Sequence, residues 1–426
     1  MKKEDKRMVL NVILEFSCSN YKSIKNKVTF SAIAGKDNTF ENELKKFGNY
    51  RILRNAVIYG ANGSGKSNFL SAIDFMKTLV TRSMTFQPGE VIKQKPHKLN
   101  DINTPSEYSI QFVKDNIRYA YGFSIIKNLI NNEYLYYFPN GKQVKIFERD
   151  VMEIYPGDKF KKIFEISEGV LKGILKENRL FLTCAANFTN IKEIENAFLF
   201  FKNDIIVYRP NNNTWTEYSI NLMQNDPKVK SVFVKIMKQL DTGISDIKVK
   251  IQKVKTNSLD LPQDMPEILK NIILSSPETN QIEAKVIYDQ FETDLMTEES
   301  TGIKKLFEII CPIIDILNNG KILICDEFET GLHESIVYEI IRLFKTIRQE
   351  QFAQLIFSTH DTNLLDSKLF RRDQVWFTQL DKERSTNLYS LVEIKNVRKT
   401  ENLEREYISG KYGAIPMLNN DINDIN

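Results

Sequence analysis

Three groups of residues in this chain have the types and spacing that phosphoryl chemistry needs. The first is Gly60-Ala61-Asn62-Gly63-Ser64-Gly65-Lys66-Ser67-Asn68, where Gly60, Gly65, Lys66 and Ser67 satisfy G-x-x-x-x-G-K-[ST]. Glycines at this spacing let backbone N–H groups converge on phosphate oxygens, and the lysine neutralises the β- and γ-phosphates of a nucleoside triphosphate. The expected binding residues are therefore Gly60, Asn62, Gly63, Ser64, Gly65, Lys66, Ser67 and Asn68, with the Ser67 hydroxyl on Mg²⁺. The second group closes the run Ile322-Leu323-Ile324-Cys325-Asp326-Glu327. Asp326 is expected to hold Mg²⁺ and its waters opposite Ser67, and Glu327 to orient or deprotonate the attacking water. The third is His360, at the end of Gln354-Leu355-Ile356-Phe357-Ser358-Thr359 and placed to contact a γ-phosphate. Glu327, His360 and Lys66 are the expected catalytic residues, and a nucleoside triphosphate with Mg²⁺ the expected cofactors.

These groups need a parallel sheet to bring them together. Ala56-Val57-Ile58-Tyr59 reads as a strand entering the glycine loop, and the apolar spacing after Ser67 as a helix whose N-terminus faces the anion. A helix from Thr301, stopped by Gly320, precedes the strand that ends in Asp326-Glu327. Residues 333–350 read as an amphipathic helix with Ile336, Val337, Ile340, Ile341, Phe344 and Ile347 on one face. Arg342, Lys345 and Arg348 lie away from that face, a solvated surface by default and a DNA contact as the alternative. A right-handed strand–helix–strand crossover then puts His360 at the same sheet edge as Glu327.

Elsewhere, 8–16 and 28–33 read as a hairpin turning at 20–24, 38–54 as a short helix or loop, and 83–103 as a mobile loop. Residues 107–126 alternate about an Asp115-Asn116 turn, with further strands at 132–138, 142–149 and 161–166. Helical spacing covers 173–201, 228–240 and 266–273, without the sustained heptads of a coiled coil. The division expected is an N-terminal lobe 1–82, an inserted region of hairpins and helices 83–290, and a C-terminal lobe 291–426.

Composition excludes several classes. The chain has 426 residues, 42% hydrophobic and 27% charged, with no apolar run long enough to span a bilayer, so no membrane role is expected. Its charged start lacks the apolar core of a signal peptide, which implies a cytoplasmic protein. Cys18, Cys184, Cys311 and Cys325 form no C-x-x-C pair, and neither zinc nor a disulfide framework is expected. A net charge of +4 is slight for this length, so nucleic-acid contact would have to be local. The clusters Lys368, Arg371, Arg372 and Lys395, Arg398, Lys399 are the places for it, with solvation as the default.

Taken together, the motifs resemble the ABC-type ATPases of the RecF, SMC and overcoming-lysogenisation-defect kind. The resemblance implies an α/β P-loop NTPase of the ABC/SMC head type with an inserted α+β lobe. Thr330-Gly331-Leu332-His333 falls where the D-loop does, His360 matches the switch histidine, and Asn187 stands in the place of a glutamine loop. Glu299-Ser300-Thr301-Gly302 occupies the signature position, normally Leu-Ser-Gly-Gly-Gln, and keeps the serine and one glycine. By resemblance, Ser300 and the Gly302 backbone contact the γ-phosphate held by a second subunit, so that ATP joins heads into a homodimer or higher homo-oligomer.

The chain looks most like the stand-alone AAA-type ATPases linked to bacterial abortive infection and phage defence. That likeness lies at Asn20-Tyr21-Lys22-Ser23, the glycine loop, Leu180-Phe181-Leu182, the Glu327 to His333 segment, and Ser409-Gly410-Lys411-Tyr412-Gly413-Ala414-Ile415-Pro416. The tail after Glu327 has no Asp-x-Asp pair and no H-N-H or zinc spacing, so a nuclease or toxin effector is expected as a separate partner. The alternative is a RecF-like DNA-repair clamp gated by ATP. A transporter energy subunit is disfavoured by the long insertion.

Overall fold

The computed structural model describes residues 9–208, 214–255, 278–345, 351–398 and 401–416. Strands β1 (Val12–Ser19) and β2 (Val28–Ser31) pair antiparallel, Phe16 opposite Phe30, about the expected turn, where Tyr21 bridges Ile24. Where a short helix or loop is expected, a 3₁₀ turn at Glu41–Glu43 leads into a second hairpin, β3 (Lys45–Phe47) and β4 (Tyr50–Ile52). Strand β5 (Asn55–Tyr59), buried at every residue, runs into the glycine loop and α1 (Lys66–Arg82).

The segment after α1 is irregular but anchored, unlike the mobile loop expected. Asn178 Nδ2 donates to the carbonyls of Gln87 and Glu90 at 2.9 and 2.8 Å. Asn20 Oδ1 accepts from His97 N and Asn100 Nδ2 at 2.9 and 2.8 Å. Both anchors come from distant parts of the sequence, which local proline and glycine content does not reveal.

A meander follows: β6 (Ser106–Lys114), β7 (Ile117–Ile126), β8 (Leu129–Phe138), β9 (Val144–Asp150) and β10 (Glu153–Pro156). Its first turn is Asp115-Asn116, both at positive φ (52° and 61°), the twist that a two-residue hairpin favours. Residues 161–166, expected as a strand, instead open α2 (Lys161–Ile174). The buried positions Phe160, Phe164, Leu171 and Leu175 repeat at intervals of four and seven, a helical period that the six-residue window cannot show.

Next come α3 (Phe181–Phe188), α4 (Lys192–Leu199), β11 (Ile205–Tyr208), α5 (Thr214–Asn225), α6 (Pro227–Gln239), β12 (Asp246–Lys255), β13 (Glu278–Ile287) and β14 (Glu292–Asp294). The helix expected at 266–273 lies outside the described residues. The last third holds α7 (Thr301–Asn319), β15 (Ile322–Cys325), α8 (Glu334–Lys345), β16 (Gln354–Ser358), β17 (Val375–Leu380), β18 (Thr386–Ser390) and α9 (Leu403–Ile408).

Two sheets frame the larger of two compact units, which draws on 1–209, 317–330 and 337–426. One has the order β11-β15-β16-β5-β17-β18, parallel except for β17 with β18. The other is antiparallel, β10-β9-β8-β7-β6-β1-β2. A continuous apolar core joins them through α1, α3 and their neighbours, and includes Phe16, Phe69, Phe112, Phe181, Phe200, Ile205 and Ile324. Phe112 and Phe200 stack with ring centres 4.0 Å apart. Buried Gln354 ties the parallel sheet to the N-terminal strand, accepting from Ile13 N at 2.9 Å and donating to Ile13 O at 3.1 Å.

The second unit draws on 210–316 and 331–336. It contains α5, α6, the sheet β12-β13-β14 and most of α7, with Phe233 and Phe307 edge to face at 5.6 Å. The units do not follow the boundaries expected at 83 and 290. Strand β6 pairs along β1, Ile110 opposite Phe16, so the hairpin region belongs to the sheet begun by the N-terminal strand. Among the described residues no helix is long and apolar enough to cross a membrane.

Candidate nucleotide site

Strand β5 lies between β16 and β17 in parallel register, which delivers Gly60 to the sheet's C-terminal edge. There Gly60 and Gly65 are packed too closely for side chains. A Cβ on Gly60 would stand 2.5 Å from Ser64 Oγ and Thr378 O, and one on Gly65 would stand 2.7 Å from Thr386 Cγ2. Gly65, at φ 109°, ends the loop as the N-cap of α1 and offers no side-chain cap. The first-turn N–H groups of α1 are thereby left for an anion.

The loop is braced from the far end of the chain. Ser64 Oγ pairs with Thr378 Oγ1 at 2.7 Å, Ser64 O accepts from Thr386 Oγ1 at 2.9 Å, and Thr386 Oγ1 meets Ser23 Oγ at 2.7 Å. Asn68 Nδ2 donates to that same Ser23 oxygen at 2.7 Å. Asn62 and Gly63 form the exposed tip.

Strand β15 sits between β11 and β16 with Cys325 opposite Phe357, so Asp326 emerges beside Ser358. Ser358 Oγ donates to Asp326 Oδ1 at 2.5 Å and accepts from Glu327 N at 2.9 Å. Glu327 is at φ 47°, a left-handed conformation that a non-glycine residue adopts at a cost.

The three groups meet at this edge. Lys66 Nζ donates to Gly60 O at 2.7 Å and lies 3.5 Å from His360 Nδ1, while His360 Nε2 lies 3.9 Å from Glu327 Oε1. Burial lowers the Lys66 ammonium to about 8, against the opposing pull of Asp326, Glu327 and Glu329. Lys22 is also lowered, by burial and by Lys95, while Asp326 and Asp74 pull it back up.

The donor set suits a hard cation. Asp326 keeps its second oxygen unengaged, and the exposed Ser67 hydroxyl has no protein partner, among the described residues. No cluster of three or more His, Cys, Asp or Glu that could hold a metal occurs among those residues. Mg²⁺ characteristically needs only one or two protein oxygens beside phosphates and water.

Ser300 and Gly302 lie in the second unit, at the start of α7. Ser300 Oγ accepts from Ile303 N at 3.3 Å, which makes it the cap of that helix. Asn187 is exposed and donates to Thr183 O in its own helix, at 2.7 Å.

Several expected surface cations are engaged within the protein, Arg371 buried and Arg372 and Lys345 half-buried. Arg371 is buried, with Nε 2.8 Å and Nη2 2.7 Å from the Asp373 carboxylate. Arg372 donates to Val397 O at 2.8 Å, and Lys345 pairs with Glu43 at 3.2 Å. Lys395 and Arg398 are exposed as expected; Arg348 and Lys399 lie outside the described residues. Ser358, Thr378, Thr386, Lys22 and Glu329 are parts of the site that motif reading misses. The Asp-Glu-x-Glu spacing was the one sequence signal available for Glu329.

A largely parallel sheet, a glycine loop before α1 and an Asp-Glu strand beside it are the parts of a P-loop NTPase fold. The chain belongs to the family described as "AAA domain, putative AbiEii toxin, Type IV TA system", which matches residues 56–366. Among solved structures, the SMC head domain from Thermotoga maritima is similar at a TM-score of 0.41 and 12% identity, over 89% of this chain and 98% of that one. An Smc head with an extended coiled coil bound to the C-terminal domain of ScpA, from Pyrococcus furiosus, gives 0.39 and 14% over 89% and 96%. The SmcHead bound to the C-winged helix domain of ScpA gives 0.39 and 15% over 89% and 97%. No curated protein matches the sequence significantly.

Proposed function

We propose that this chain is a Mg²⁺-dependent ATPase whose heads pair around ATP, and that it controls a separate nuclease or toxin effector in bacterial anti-phage defence. The observation that carries the ATPase reading is the meeting of Lys66, Asp326, Glu327 and His360 at one sheet edge, with Lys66 within 3.5 Å of His360 and His360 within 3.9 Å of Glu327. The N–H groups of the loop and of α1 cradle the phosphates, and Lys66 neutralises their charge. Ser67 and Asp326 hold Mg²⁺, which shields the phosphate oxygens. Glu327 orients and deprotonates water, and His360 hydrogen-bonds the terminal phosphate. Ser300 and the Gly302 backbone serve the nucleotide of a second copy, an anion placed at a helix N-terminus.

The defence reading is supported by the toxin–antitoxin wording of the family description. The DNA-clamp alternative loses support, because Lys345, Arg371 and Arg372 are spent on internal partners. The test is Glu327→Gln, purified from its host in ATP with its associated molecules identified. The variant should bind ATP, stall, and retain a stoichiometric nuclease or toxin-like protein. Turnover at the wild-type rate overturns the role of Glu327, and duplex DNA without a protein partner overturns effector control.

A further inference from the structure

The His360 loop is held by a residue outside the catalytic set. Strand β16 ends at Ser358, and the next main-chain bond, Thr359 N to Ile58 O at 3.2 Å, is the last the sheet provides. The amide of His360 has therefore left the ladder, and a backbone donor needs a partner. Glu329 Oε1 accepts from it at 2.6 Å. Just beyond, Tyr59 Oη donates to Asp361 O at 3.2 Å, and Asp361 N donates to Thr359 Oγ1 at 3.0 Å. The imidazole thus hangs from backbone fixed before, at and after the residue. Glu329 Oε2 is shut off from water and has no partner among the described residues. A half-satisfied carboxylate costs stability; what it provides here is a short charge-assisted bond to the histidine amide.

We propose that Glu329 is the positioning residue of His360. It links the segment that carries Asp326 and Glu327 to the histidine loop, so that the acid acting on water and the imidazole meeting the phosphate keep a fixed separation. This rests on the ATPase reading above. Glu329 acts through His360 and not on the nucleotide.

The chain has three histidines, His97, His333 and His360, so the imidazole Hε1 resonances of the nucleotide-free protein can be followed by NMR. Loss of one signal in His360→Gln assigns it. In Glu329→Ala that signal shifts or broadens while His97 stays in place. Glu329→Asp, one methylene too short, moves it likewise if the alanine variant does not fold. Glu329→Gln keeps an accepting oxygen and leaves the signal near its native position. In ATP hydrolysis, Glu329→Ala lowers kcat about tenfold or more with KM within about twofold, and Glu329→Gln stays within about threefold of wild type. An unmoved His360 signal in Glu329→Ala overturns the proposal. So does a Glu329→Gln enzyme as inactive as Glu329→Ala with a native His360 signal, since the charge itself would then be acting. If the wild-type protein hydrolyses no ATP, the ATPase reading falls, and the histidine spectrum still decides the role of Glu329.

Discussion

Nucleotide binding should weaken with rising pH in a way that reports on Lys66. Burial lowers its ammonium to about 8 in the nucleotide-free protein, whereas triphosphate beside it would restore the proton. Binding above pH 8 must therefore take up a proton, and the apparent affinity scales with the protonated fraction. Between pH 7.5 and 9.5 that fraction falls about 25-fold, equivalent to about 1.9 kcal/mol of binding free energy. Calorimetric titration of Mg²⁺·ATP in buffers of different ionisation enthalpy should give about 0.9 proton taken up per site at pH 9. Lys66→Arg, whose guanidinium stays charged throughout, should bind with no such pH dependence. A flat affinity profile and zero proton uptake for the wild-type protein would refute the argument. The sign for folding is opposite: the unfolded chain holds this proton up to about 10.5 and the folded one only to about 8. On this group's account the nucleotide-free protein gains stability as pH rises through that window.

Gly65→Ala forces a Cβ against Thr386 at a φ of 109°, and should abolish binding of a fluorescent ATP analogue and lower the thermal midpoint. Unchanged binding would mean that the loop does not close on β18. Arg371→Ala strands Asp373 in the interior and should cost about 3–5 kcal/mol in urea unfolding, against at most about 0.5 for exposed Arg398→Ala. Equal, small losses would return Arg371 to the surface.

What the sequence made legible was what is local. The glycine loop is nine consecutive residues whose spacing is itself the mechanism, and the Asp115-Asn116 turn announces its own φ angles. Ser358, Thr378 and Thr386 are ordinary strand residues by type; only the parallel register of β15, β16, β5 and β17, and the antiparallel pairing of β18 with β17, turn them toward the loop and the metal acid. Arg371 reads as one of a basic cluster, yet its partners are Asp373 two residues on and the carbonyls of Asp37 and Thr39 from the other end of the chain. Pairing between β1 and β6 likewise joins the N-terminal strand to the hairpin region about ninety residues on, which no local pattern announces.

The bracing of Ser64 has a consequence for the order in which the protein becomes competent. Its two threonine partners lie 314 and 322 positions downstream. At about 5–20 residues per second, a ribosome delivers them roughly a quarter-minute to a minute after the loop itself. Through that interval the emerging chain displays a phosphate motif without the walls that shape it. A product truncated ahead of residue 378 carries the motif without the two threonine braces on Ser64. The finished shape of the phosphate loop is thus a late product of synthesis, set only when the last strands of the sheet have arrived.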